Sequence, residues 1–317
     1  MNHKLRLIAK VLLQSLWASA VLALVGTGLV GILAMAAPIH YAPLRDTVQV
    51  RDSASPSLHK LLGLSGRLRA ISLAPGHESA SPLAALLPAL SASTPGVLET
   101  GLEAPDGDPI RVLALVPLQA KLGSSWRGYR VGYWPGERTA SRAARYLLPD
   151  GFIEVTRENQ DLPISTSFRL RDFLTHDQAD IWPKVLVLRL PLLDKLELIA
   201  QELEQRGRPA ALRVMSGFRT PQYNSLGVGR LGGRARDSRH MYGDAADVYV
   251  DADGDGRMDD LDRDGRITVN DAGWLARVAQ RVEADYPAMT GGIGVYRANA
   301  VHGPFVHVDV RGTPARW

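Results

Sequence analysis

"SRHMYGDAADVYVD", residues 238–251, decides how the C-terminal half of the chain is read. Its second part, ADVYV (246–250), alternates as a strand does, so Asp247 projects from the face opposite Val248 and Val250. Gly243 lets the chain turn between His240 and that strand, and Ala245 and Ala246 keep the approach narrow. The same alternation in FVHVDV (305–310) sends His307 and Asp309 to one side and Val306, Val308 and Val310 to the other. The valine face belongs to a core. The opposite face carries an imidazole and a carboxylate from a strand that should be well buried.

Asp247 and His307 on strands, with His240 on the preceding loop, are three donors of the types that suit Zn²⁺. A fourth position would stay open, as in a catalytic rather than a structural site. Taken singly, each residue is ordinary, because a lone histidine beside a strand is usually a satisfied core or surface residue. The set carries the weight.

Outward from these strands, LPLLDKLELIAQELEQRG (190–207) places Leu192, Leu193, Leu196, Ile199, Ala200 and Leu203 on one helical face, and Gly207 supplies a stop. LRVM (212–215) reads as a strand. A second helix, from about Asn270 to Tyr286, buries Leu275, Val278 and Val282. STSFRLRDFLTHD (165–177) suits a short helix docked through Phe168, Leu170, Phe173 and Leu174. Helices interspersed with strands that return to one sheet give an α+β fold.

Four motifs, SGFRTPQYN (216–224), SRHMYGDAAD (238–247), GGIGVY (291–296) and HVDVRG (307–312), follow one another in an order and spacing that resembles the M15 zinc D-Ala-D-Ala carboxypeptidases and peptidoglycan peptidases. The resemblance covers roughly residues 155–317. It implies a small antiparallel sheet with flanking helices, zinc ligation by His240, Asp247 and His307, and a substrate-contacting role for Arg219 in SGFRTP. A fixed guanidinium can offer two hydrogen bonds to an oxyanion or a terminal carboxylate. One departure stands out. Many relatives carry a glutamate three residues before the last zinc histidine, or a histidine two before it, as general base, and here those positions hold Pro304 and Phe305. Asp309 is the nearest substitute and His302 the second candidate, while Asp309 could equally orient a ligand from behind.

DADGDGRMDDLDRDGRITVNDA (251–272) follows the Asp247 strand directly. Asp260, Asp262, Asp264 and Asp271, with Gly265 at the sixth place, match a calcium-loop pattern that resembles dockerin loops. Asp251, Asp253, Asp255 and Asp259 form an overlapping aspartate repeat. So many carboxylates would repel one another without a cation, so one or two Ca²⁺ ions in a structural role are expected for the insert 251–271, against the alternative of a solvated acidic loop.

The 317 residues are 22% charged and 45% apolar, an ordinary globular composition, with a formal net charge of +4. No basic block is interleaved with aromatics, which argues against nucleic acid as a partner. With no cysteine, disulfides, thiolate metal sites and cysteine nucleophiles are excluded. Lys4, Arg6 and Lys10 precede a charge-free run from Val11 to Ala37. At roughly 1.5 Å per residue that run spans about 40 Å as a helix, enough to cross a ~30 Å hydrocarbon core. It is expected to be a retained transmembrane anchor with a cytoplasmic N-terminus, which places the remainder outside the inner membrane, in the periplasm. The alternative is a signal cleaved near Ala36 in Ala34-Met35-Ala36, although the run exceeds the ~7–15 residues of a signal's apolar region.

The expected organisation is therefore an anchor at 1–37, a membrane-proximal stalk and small β-rich region at 38–154, and a peptidase domain at 155–317. Within 38–154, IRVLALVPL, WRGYRVGYWPG and GFIEVT are β-branched and aromatic runs punctuated by glycine and proline, and a short helix is possible in 76–96. The resemblance implies a zinc metallopeptidase acting on peptidoglycan stem peptides or cross-links, with a peptidoglycan peptide and the membrane as partners. The rival readings are a catalytically inactive zinc-containing module that binds cell-wall peptides, and a chain whose working part is the β-rich region.

Overall fold

The computed structural model describes residues 69–73, 96–103, 109–138, 146–229 and 233–317. The expected anchor at Val11–Ala37 and the possible helix in 76–96 lie outside the described residues. Among the described residues no helix is long and apolar enough to cross a membrane.

Three strands, β1 (Arg69–Leu73), β2 (Gly96–Glu103) and β3 (Pro109–Ala114), form a small sheet in the order β1-β3-β2. β1 and β2 fall within the segment 38–154, expected to hold a stalk and a small β-rich region. β4 (Val116–Pro117) follows, then a hairpin of β5 (Ser125–Trp126) and β6 (Tyr129–Arg130), and β7 (Gly151–Val155). β7 pairs on one side with β4 and on the other with β8 (Lys184–Leu186), so the boundary expected near residue 155 is crossed by strand pairing. Tyr129, Val131, Trp134 and Phe152 are buried in the same core as the C-terminal half. The Trp134 indole donates to the Met241 carbonyl at 2.7 Å, the residue after His240, and its ring stacks on Phe218. The runs IRVLALVPL, WRGYRVGYWPG and GFIEVT carry strands as expected, but their pattern says nothing of their partners, and β1, β2 and β8 were not foreseen.

α1 (Leu190–Gln205), β9 (Leu212–Ser216), the short α2 (Pro221–Ser225), β10 (Ala245–Val250), α3 (Val269–Asp285), β11 (Gly292–Tyr296), β12 (Phe305–Asp309) and β13 (Ala315–Arg316) complete the chain. Five strands form the main sheet in the order β13-β11-β12-β10-β9, antiparallel except for the β11–β13 pair. One face packs on α1 and α3. Val248, Ile293, Val306 and Val308 meet Leu192, Leu196, Ile199, Leu275, Val278 and Val282, all essentially without solvent exposure. Burying each such side chain contributes about 1.5–3 kcal/mol relative to leaving it in water, so this face fixes the register and leaves the opposite face free to carry polar groups. The architecture is mixed α+β with small sheets and few helices, as the M15 resemblance implies.

STSFRLRDFLTHD forms only a 3₁₀ turn, Leu170–Phe173, rather than a full helix. The Ile164 and Ser165 amides both donate to the Phe168 carbonyl, which reverses the chain before a helix can wind. Its apolar residues are nevertheless buried as expected: Phe168, Leu170, Phe173 and Leu174 all enter the core.

Candidate metal centre

The strand register builds the site. Asp247 on β10 lies directly opposite His307 on β12, so two side chains sixty residues apart share one face. His240 arrives from the 3₁₀ turn Arg239–Tyr242, which ends at Gly243 in the left-handed conformation (φ +69°). That backbone favours glycine, and a Cβ there would also run into the Val187 carbonyl group. The chain can therefore reverse within two residues and enter β10.

Three donor atoms converge. His240 Nε2 is 3.1 Å from His307 Nδ1, His307 Nδ1 is 2.9 Å from Asp247 Oδ1, and Asp247 Oδ1 is 3.3 Å from His240 Nε2. Tetrahedral zinc with bonds of ~2.0–2.1 Å needs donor–donor edges of roughly 3.3–3.4 Å. The triangle lies within a few tenths of an ångström of that size, so His240, Asp247 and His307 could hold a metal ion.

Both imidazoles are turned the right way. His240 Nδ1 sits 2.7 Å from the Gly217 carbonyl and must donate to it, which leaves the Nε2 lone pair facing the triangle. His307 Nε2 faces Asp309 Oδ2 at 3.3 Å and so carries the other proton, leaving the Nδ1 lone pair inward. Burial pushes His240 down from its ordinary pKa, which favours the neutral, ligating form. Burial alone would lower His307 too, but the Asp247 and Asp309 carboxylates on its two sides more than offset it and raise its pKa. Asp247 is held well below the usual carboxylate range, because the neighbouring His240, His307 and Arg219 side chains together outweigh its burial.

Asp309 has no solvent exposure and stands behind His307 rather than beside the donor triangle. Its other contacts are the Gly292 amide at 2.8 Å and the Arg311 guanidinium and amide. Of the two roles open to it in the sequence, this position fits orientation of a ligand. His302, the second candidate for proton transfer, has both ring nitrogens engaged in the 299–303 turn, one with Asn299 and one with the Gly303 carbonyl, and its ring meets Phe305 edge-on.

Arg219 reaches the site as its motif implies, but not as a free fork. Nε donates to Ser216 Oγ at 2.8 Å, and Nη2 pairs with Asp247 Oδ2, the carboxylate oxygen turned away from the triangle. Two of its three nitrogens are thus spent on the protein. Its backbone amide donates to the His240 carbonyl at 3.2 Å, tying the SGFRTP loop to the ligand turn.

Sequence reasoning missed the support behind the site. Lys195 on α1 is fully buried; its Nζ donates to Glu283 Oε1 at 2.6 Å and to the Asp309 carbonyl at 2.8 Å. Glu283 also accepts from the Gly291 amide and pairs with Arg316. A signal was present: Lys195 falls three residues after Leu192 and four before Ile199, inside the apolar stripe, where an unpaired ammonium would not be tolerated.

The aspartate-rich loop is brought together only in part. Asp251, Asp253 and Asp255 form one group of oxygens, and Asp260, Asp262 and Asp271 form another. Asp259 and Asp264 belong to neither; Asp259 accepts from the Ala252 amide and Asp264 from the Arg266 amide. Asp271 caps α3, accepting from the Thr268 amide at 2.7 Å and from the Leu261 and Asp262 amides through its other oxygen. The expected eight-residue ligand set is therefore reduced to two groups of three. Spacing alone does not reveal which of the carboxylates come together.

Residues 175–268 match the family model described as Peptidase M15. The match takes in Arg219, His240 and Asp247 and supports a peptidase of that family; His307 lies beyond it. A search of curated proteins found no match.

Proposed function

We propose that this protein is a zinc metallopeptidase that hydrolyses peptidoglycan stem peptides or their cross-links, of D-Ala-D-Ala carboxypeptidase or endopeptidase type. The observation that carries the reading is the donor triangle of His240, Asp247 and His307, sized for zinc and made of three donors among the described residues. Bound zinc would polarise the scissile carbonyl and acidify a water molecule. The chain's own residues do the rest. Gly217 and Asp309 fix the two histidine tautomers, and Arg219 draws charge off the outer oxygen of Asp247. The third guanidinium nitrogen of Arg219 remains to meet negative charge that develops on the substrate.

The test is a digest of purified muropeptides by the protein and by its His240→Ala variant, with zinc content measured in parallel. Product from the wild type alone supports the enzyme. Zinc-loaded wild type that yields no product points instead to an inactive peptide-binding module.

We also propose Ca²⁺ for the two aspartate groups of the 251–271 insert, on the strength of their spacing and of three carboxylates converging in each. After treatment with EDTA, zinc alone should restore activity only in part, and Ca²⁺ should raise the melting temperature. Full recovery without Ca²⁺ removes the proposed role. The charge-free run Val11–Ala37 is proposed to anchor the protein in the inner membrane with the catalytic part in the periplasm; protease accessibility in spheroplasts tests this directly.

A further inference from the structure

Trp317 is half exposed, at 49%, yet firmly held beside the metal centre. Its indole lies 5.2 Å from the His307 ring, tilted by 44°. Nε1 donates to the Tyr296 hydroxyl at 2.7 Å, and the Arg311 guanidinium lies 5.6 Å from the ring centroid. Gly292 and Gly294 of β11 form its floor, and a Cβ on Gly294 would run into the indole. The Val295 amide donates to the Trp317 carbonyl at 2.9 Å, which pins the backbone to the same strand. Gly294 is the register partner of His307, so the indole occupies the place that a side chain on β11 would take next to the ligand.

The order of groups across this face of the sheet follows from the strand order. Trp317 lies over β11, His307 stands on β12, Asp247 on β10, and Ser216, which holds Arg219, on β9. The donor triangle thus has a guanidinium on one side and an aromatic ring on the other.

Resting on the peptidase reading above, we infer that Trp317 is the apolar wall of the substrate groove and takes the small aliphatic side chain of one residue flanking the scissile bond. The indole N–H is spent on Tyr296, so the ring offers a passing substrate only carbon. Such a surface rewards CH groups and not hydrogen-bonding ones. A methyl group on this wall gives about a fourfold preference for alanine over glycine.

The experiment uses synthetic stem peptides in which each alanine flanking the cleaved bond is replaced in turn by glycine. kcat/KM is compared for wild type, Trp317→Ala, Trp317→Phe and Gly294→Ala, with zinc content checked in each. The alanine preference should vanish in Trp317→Ala and Gly294→Ala at one of the two positions, persist at the other, and survive in part in Trp317→Phe. An unchanged preference in Trp317→Ala, or equal loss at both positions, overturns the wall. Independently of turnover, titration with D-alanyl-D-alanine should move the Trp317 indole resonance in an NMR spectrum of the ¹⁵N-labelled protein. An unmoved indole while other site resonances shift also overturns it. A zinc-loaded wild type that cleaves none of the peptides defeats the peptidase reading alone, and the indole resonance still decides on the wall.

Discussion

Asp309 Oδ2 lies 3.3 Å from His307 Nε2, two residues along the same strand and on the side of the ring that faces away from the donor triangle. The carboxylate thereby fixes which histidine nitrogen keeps a proton and which lone pair points inward. Asp309→Asn should leave the protein folded and weaken zinc binding about 10–100-fold, the usual effect of losing a ligand's hydrogen-bond partner. Competition with a chromophoric chelator measures this. Wild-type affinity in the variant would remove Asp309 from any role in holding the ligand.

Each donor of the triangle is irreplaceable in a different way. Asp247→Ala should abolish zinc binding and also take from Arg219 its carboxylate partner, with the Ser216 contact left in place. His240→Ala should abolish zinc binding while leaving the Arg219–Asp247 pair in place. Zinc per chain, measured by elemental analysis, should fall from about one to near zero in both; one zinc retained by either variant would place the metal elsewhere.

Lys195 carries its charge in the core because Glu283 and the Asp309 carbonyl meet it. Burial pulls its pKa below the ordinary value, and Glu283 offsets this only in part. Lys195→Met leaves a buried carboxylate with Arg316 as its remaining cation and should lower unfolding free energy by about 3–5 kcal/mol. Adding Glu283→Gln should recover part of that loss. Urea melts decide the matter, and a single variant as stable as wild type would show that the pair contributes nothing.

Glu197 on α1 accepts from the Ser167 amide at 2.7 Å and its hydroxyl at 2.9 Å, yet burial keeps its carboxyl above the ordinary value of 4.5. A raised carboxyl pKa means the folded state holds a proton that the unfolded state has already released. Its contribution to stability is therefore present below the unfolded pKa and is lost as pH rises through the folded one. Glu197→Gln keeps both Ser167 contacts possible and should flatten that fall from about pH 4.5 upward. Thermal melts across pH 4–8 read it out, and identical pH profiles would contradict the shift.

Much of the C-terminal half was legible without coordinates. The strands around Asp247 and His307 and the helices near 190–207 and 270–286 fall where periodicity puts them, because each buries one face and the alternation of apolar residues records that face directly. Asp247 and His307 were legible for the same reason, whereas His240, on a turn, was read from its place before the strand and from the motif. Less was visible in the N-terminal half, where β7 pairs with β8 and Trp134 reaches the carbonyl next to His240.

The sequence by itself determined which side chains share a strand face and which residue types could bind a metal, since both follow from local backbone periods and from donor chemistry. Only the tertiary structure decided that Asp309 stands behind His307, that Arg219 is half spent on Ser216 and Asp247, that the aspartates separate into two groups, and that Lys195 braces the strand end. Those outcomes depend on which elements meet. Hydrogen bonds between residues tens of positions apart are set by the packing of sheet on helix, and no local pattern encodes them.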